Sequence, residues 1–219
     1  MSTAEALVAA NRDLWTRIAT HPFVRATADG SLPRETFDRW LVEDHFFVVG
    51  FRRFLGRLLE LAPDEPARDV LAGGLAALAP ELELFRREAA ARGLDLGSEP
   101  CPTNLGYTAF CQAAPSDGFV VGLTVLYGAE SAYLDAWTAV RERAAASSPY
   151  WGFIDNWSSS AFRAYVADLA ALLDRVTDGA PGHAEQRAFS RVVRFELRFW
   201  HAVHAGERWE DDPGRATPR

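Results

Sequence analysis

The chain has 219 residues, 48% hydrophobic and 12% aromatic, with a formal charge of −7 and a pI near 5.3. That supplies apolar material for a sizeable core and excludes a disordered chain; the acidic balance, with no basic run, excludes a nucleic-acid-binding face. All 23 lysine-or-arginine positions are arginine, which excludes Schiff-base chemistry, lysine-bound pyridoxal phosphate and a lysine-dependent phosphate loop.

The N-terminus, "MSTAEALVAANRDLW", lacks the basic region and apolar core of a signal peptide. A helix is predicted over 4–19, ending before "THPF". In that segment His21 reads as a turn or capping residue. "DGSLPRETF" carries a break at Gly30 and a start at Ser31 or Pro33. The helix it opens runs to about 61, where "APDEP" stops it. A third runs over 66–92 to Gly93 and contains "AGGLAA", a packing or kink site with no preceding strand to make it a phosphate loop. "LDLGSEPCPTN" is the long polar connector. Helices follow over 103–113, 117–146 and 150–176. "TDGAPGH", with an exposed His183, is the last loop. The final helix covers 183–207, and a frayed tail is expected from about 209. No stretch alternates with period two, no repeat appears, and no boundary separates two cores. The prediction is one all-α domain over 1–219, a bundle of about seven to nine helices. The longest apolar run, 119–129, is shorter than the roughly 20 residues that span a bilayer. Together with two sparse cysteines, Cys101 and Cys111, this predicts a soluble, cytoplasmic protein with reduced thiols.

Three of these helices carry an acid inside an apolar stripe. Trp40, Asp44, Phe47 and Phe51 recur at i, i+4, i+7, i+11. So do Leu126, Glu130, Tyr133 and Trp137, and again Val192, Glu196, Phe199 and Val203. An unpaired carboxylate on a buried face costs several kcal/mol or shifts its pKa to stay neutral. The plain reading is that each acid pairs with an arginine, with Arg39, Arg52, Arg53 and Arg194 available. Two functional readings stand beside it. A carboxylate-bridged metal site would want Glu-x-x-His, and none of the three acids has His at i+3. A cavity for a small aromatic ring with amino groups would use the aromatic walls for stacking and the acids for N–H bonds and proton transfer.

The segment "LWTRIATHPFVRATADGSLPRETFDRWLVEDHFFVVGFRRF" resembles the N-terminal signature of the TenA family. "CPTNLGYTAF" is similar to its central segment, and "FELRFWHAV" to its C-terminal Glu-Leu-x-Phe-Trp signature. The likeness runs over about 14–203. It implies an all-α fold like that of haem oxygenase, without haem, and no cofactor or metal. It implies enzymes that hydrolyse aminopyrimidines in thiamine salvage, as homo-oligomers, tetramers or dimers. It assigns Asp44 to the pyrimidine ring, Phe47, Tyr107 and Phe199 to the pocket, Tyr133 to the position after the nucleophile, and Glu196 to acid–base work. Trp157 falls where many members have tyrosine. Many members carry a nucleophilic cysteine where this chain has Ala129; the chain resembles the branch that carries a glutamate instead, with Glu130 as the matching acid. That branch implies an amino- or formylamino-methylpyrimidine as substrate. The partner expected is therefore a small molecule, with no nucleic acid and no membrane. Two alternatives remain open: a non-catalytic binder of aminopyrimidine or thiamine, and a metal-dependent oxidoreductase on the same fold.

Overall fold

The computed structural model describes residues 1–211, and among them no strand occurs. The helices in chain order are α1 (Thr3–Ala10), α2 (Arg12–Ala19), α3 (Pro22–Asp29), α4 (Arg34–Glu60), α5 (Glu65–Arg92), α6 (Pro102–Ala113), α7 (Phe119–Arg141), α8 (Trp151–Ser158), α9 (Ser160–Val176) and α10 (His183–Ala205). The all-α single-domain bundle expected from the sequence is what the chain forms.

Local chemistry explains where the boundaries differ from the expected ones. The first predicted helix is two, because Asn11 turns its side-chain amide onto the Leu7 carbonyl at 2.9 Å and interrupts the ladder. The "THPF" segment is not a loop but the start of α3. His21 Nδ1 accepts the Phe23 N–H at 3.1 Å, and Pro22 occupies the first turn, where its missing N–H has no role. His21 is thus a cap, as expected. The helix predicted over 150–176 breaks at Ser159, which is extended and accepts the Phe162 N–H to start α9. A 3-10 turn, Ala114–Asp117, and Gly118 at φ 108° set the start of α7 two residues later than predicted.

Helix α7 lies at the centre and packs against α2, α3, α8, α9 and α10, while α4 packs against α5, α6 and α10. A helix surrounded on all sides must be apolar all round, and α7 is buried along most of its length. Gly128 lets α10 approach it closely: a Cβ there would stand 2.4 Å from Val192 Cγ1. Gly74 of "AGGLAA" makes room for the Tyr165 hydroxyl, which would lie 2.2 Å from a Cβ. The core that α4, α7 and α8 enclose is aromatic. Trp40 is fully buried, with ring centroids of Phe37, Trp137, Phe153 and Trp157 between 4.9 and 5.7 Å away. Among the described residues no helix is long and apolar enough to cross a membrane. The frayed tail expected from 209 falls mainly on 212–219, outside the described residues; Trp209 itself donates its indole N–H to the Pro100 carbonyl at 2.9 Å.

Candidate active site

The three acid-bearing stripes meet. Helical spacing puts Asp44, Phe47, Val48 and Phe51 on one face of α4, and Ala129, Glu130 and Tyr133 on one face of α7. Together with Leu78 and Glu81 of α5, Trp157 of α8 and Glu196 of α10 they enclose a single cavity. Six of the eight residues expected from the sequence line it: Asp44, Phe47, Glu130, Tyr133, Trp157 and Glu196. Tyr107 and Phe199 stand behind the wall. Their rings lie 4.7 and 6.1 Å from that of Phe47, and the Tyr107 hydroxyl donates to Glu196 Oε1.

Each deep acid is held by one tyrosine. Tyr133 donates to Asp44 Oδ1 at 2.5 Å and accepts from the Trp40 indole N–H at 3.4 Å. Asp44 and Glu196 are 1% and 0% exposed. Their second oxygens, Asp44 Oδ2 and Glu196 Oε2, are buried and have no hydrogen-bond partner among the described residues. Burial without a partner is what a carboxylate avoids unless something else meets it.

Electrostatics follow from this enclosure. Burial pushes Glu196 up to about 8 against the opposing bond from Tyr107. Burial also holds Asp44 well above the carboxylate range, opposed by Tyr133 and assisted by the charges of Glu81 and Glu196. Glu130 is raised well above its usual value by burial first, and then by Glu81, Glu196 and Asp44. Among the described residues none of the site acids is in a salt bridge. The arginine pairing considered from the sequence is therefore not what keeps them; Arg39, for instance, bonds the Val203 carbonyl and Thr36 instead. Among the described residues no histidine lines the cavity. Among the described residues no three His, Cys, Asp or Glu side chains are grouped so as to hold a metal ion. Both cysteines are buried, and burial raises their thiols, so neither is an activated thiolate.

Glu81 is the residue that sequence reasoning missed. It sits in "ALAPELELF" of α5, among leucines and next to Pro80, a helix-interior proline that cannot donate to the ladder. The signal was there: Leu78, Glu81, Leu82 and Phe85 repeat the acid-in-stripe pattern.

The family model described as "TENA/THI-4/PQQC family" matches residues 8–205. The chain belongs to this family. Among solved structures, a TenA homologue from Pyrococcus furiosus is 32% identical and superposes with a TM-score of 0.86, covering 91% of this chain and 98% of that one. Two curated relatives match nearly end to end. The "Probable bifunctional TENA-E protein" of Glycine max is 25% identical over 202 residues, covering 87% of this chain and 88% of the relative. The "Aminopyrimidine aminohydrolase" of Halalkalibacterium halodurans is 23% identical over 220 residues, covering 95% and 98%. In this TENA/THI-4/PQQC chain the match spans every helix that lines the cavity.

Proposed function

We propose that this protein is a hydrolase of aminopyrimidine C–N bonds serving thiamine salvage, in the TenA branch that works without a cysteine nucleophile. The observation that carries the reading is the pair of orphaned carboxylate oxygens, Asp44 Oδ2 and Glu196 Oε2, on two acids that line one aromatic cavity with Glu130. An aminopyrimidine supplies what they lack: N–H donors on a flat ring that stacks on aromatic walls. The similarity to the aminopyrimidine aminohydrolase of Halalkalibacterium halodurans supports the same chemistry.

In this reading Asp44, fixed by Tyr133, binds the ring. Phe47, Phe51 and Trp157 form the faces around it. Glu130 works with a second raised carboxyl of the cavity, Glu196 or Glu81: one deprotonates the attacking water, and the other protonates the nitrogen that leaves. A carboxyl can donate at neutral pH only if its pKa is raised, and burial raises all three. Ala129 offers no covalent route at the position where many TenA members have cysteine, so thiamine itself is expected to be a poor substrate.

The deciding experiment is release of ammonia from aminomethyl-aminopyrimidine, or formate from its formylamino form, by the purified protein, with thiamine as comparison. Binding without release would make the protein a non-catalytic carrier. Thiamine cleavage as fast as aminopyrimidine cleavage would remove the argument from Ala129.

A further inference from the structure

We infer that Glu81 of α5 is a catalytic carboxyl of this site, the base that deprotonates the attacking water, and that Glu130 is the acid paired with it. This rests on the hydrolase reading above and assigns within it a residue and a division of roles that the resemblance to the family does not supply.

The cavity is graded from dry to wet. Asp44 and Glu196 are sealed at its inner end, whereas Glu81 and Glu130 are both half-buried. Among the described residues Glu81 is the one that borders both this cavity and a groove of about 460 Å³ between α5, α8 and α9. Asp69 and Asp168 line that groove with it, and among the described residues no cationic side chain does. Glu81 therefore stands where the wall of the cavity meets this acidic groove.

A structural duty does not explain the charge. Glu81 forms no salt bridge among the described residues. Its hydrogen bond is one long donation from Asn156 Nδ2 at 3.3 Å, which a glutamine would accept equally well. Yet its carboxyl is the foremost charge acting on Glu130. Two neighbouring carboxyls in one poorly solvated space divide their protons. Glu81 is pushed up by burial to about 7, and Glu130 is held well above its usual value by burial and then by the Glu81 charge, so the geometry favours the proton on Glu130 when Glu81 ionises.

The step then balances. Water forms the new C–O bond at the methylene carbon and gives its proton to Glu81. The C–N bond breaks, and its electron pair stays on nitrogen, which takes a proton from Glu130. Transfer of the proton from Glu81 back to Glu130 restores the pair. The net reaction is R–CH₂–NH₂ + H₂O → R–CH₂–OH + NH₃.

The test is Glu81→Gln, with turnover followed by ammonia release across pH 5 to 9, beside aminopyrimidine affinity and melting temperature. A base that must be ionised gives wild-type turnover a limb that rises with pH, with its midpoint at about 7. In Glu81→Gln we expect that limb to vanish, turnover to fall about 10²–10⁴-fold, and affinity to change only a few-fold. Glu81→Asp should retain the limb with a shifted midpoint, and it decides the matter if the glutamine variant does not fold. Glu81→Gln with wild-type turnover, a loss confined to KM, or Glu81→Asp with an unmoved midpoint overturns the role of Glu81 and leaves the hydrolase reading standing. A wild-type protein that releases neither ammonia nor formate overturns both.

Discussion

The carboxylate oxygens without partners define what single substitutions should do. Glu130→Gln keeps shape and hydrogen bonding but cannot exchange a proton. We expect a melting temperature equal to or above wild type, aminopyrimidine binding largely kept, and hydrolysis lowered about 10²–10⁴-fold. Near-normal turnover with a lower melting temperature would make Glu130 a structural acid. Tyr133→Phe acts through a different atom. It removes the donor to Asp44 Oδ1 and the acceptor of the Trp40 N–H. The buried Asp44 carboxyl then has no bond at all, so we expect destabilisation of about 1–3 kcal/mol in denaturant titration and weaker ring binding. At this scale the sequence was legible where an acid interrupts an aromatic stripe, as at Asp44, Glu130 and Glu196. Glu81 escaped because its neighbours are leucines, which look like any amphipathic helix. The orphaned oxygens themselves could not be read, since which atom finds a partner is a matter of ångströms across helices distant in sequence.

At the scale of elements, the contact between α7 and α10 positions Glu130 relative to Glu196, and Gly128 permits it. Gly128→Ala would place a methyl 2.4 Å from Val192 Cγ1 and 3.3 Å from Phe189 Cδ2. Overpacking of that kind costs about 1–3 kcal/mol, which outweighs the roughly 1 kcal/mol that alanine gains over glycine in a helix. We expect a lower unfolding midpoint and, because the two helices must part, reduced turnover as well. Pairing with Val192→Ala should recover much of both; failure of that rescue would mean the helices are not in tight apposition. The helices themselves were legible from their 3.6-residue periodicity. Those that were missed, α3 and the breaks at Asn11 and Ser159, are set by side chains bonding to nearby backbone. His21, Asn11 and Ser159 each make such a bond, and these compete with the helix ladder without changing the hydrophobic pattern.

For the whole molecule, gathering four acids in one interior ties stability to pH. Glu81 and Glu196 are raised from 4.5 to about 7 and about 8, and Asp44 and Glu130 are raised as well. The folded chain therefore holds protons that the unfolded chain has released, and stability falls as pH rises towards these values. Buried His21 works the other way. It is lowered from 6.5 to about 4, so its neutral form stabilises the fold above 6.5 and that contribution is lost as pH falls towards 4. Between pH 6.5 and 8 only the acids of this set titrate, and each contributes a slope of up to about 1.4 kcal/mol per pH unit. We expect the melting temperature to fall across that window and the fall to flatten in Glu196→Gln; a flat wild-type profile would mean the acids are better solvated than they look. The Trp cluster has an optical consequence. Trp157 lines the cavity and stacks on Trp137 with centroids 5.2 Å apart, while Trp40 lies 5.1 Å from Trp137 and 5.7 Å from Trp157. Indoles this close share excitation, so light absorbed by any one of the three can be emitted from, or extinguished at, the ring that touches the ligand. Because Trp157 is part of the cavity wall, a pyrimidine ring seated there changes the surroundings of that indole. Ligand entry is thereby written into the ultraviolet emission of the unlabelled protein as a saturable change in intensity, readable in a stopped-flow cuvette before any bond is broken.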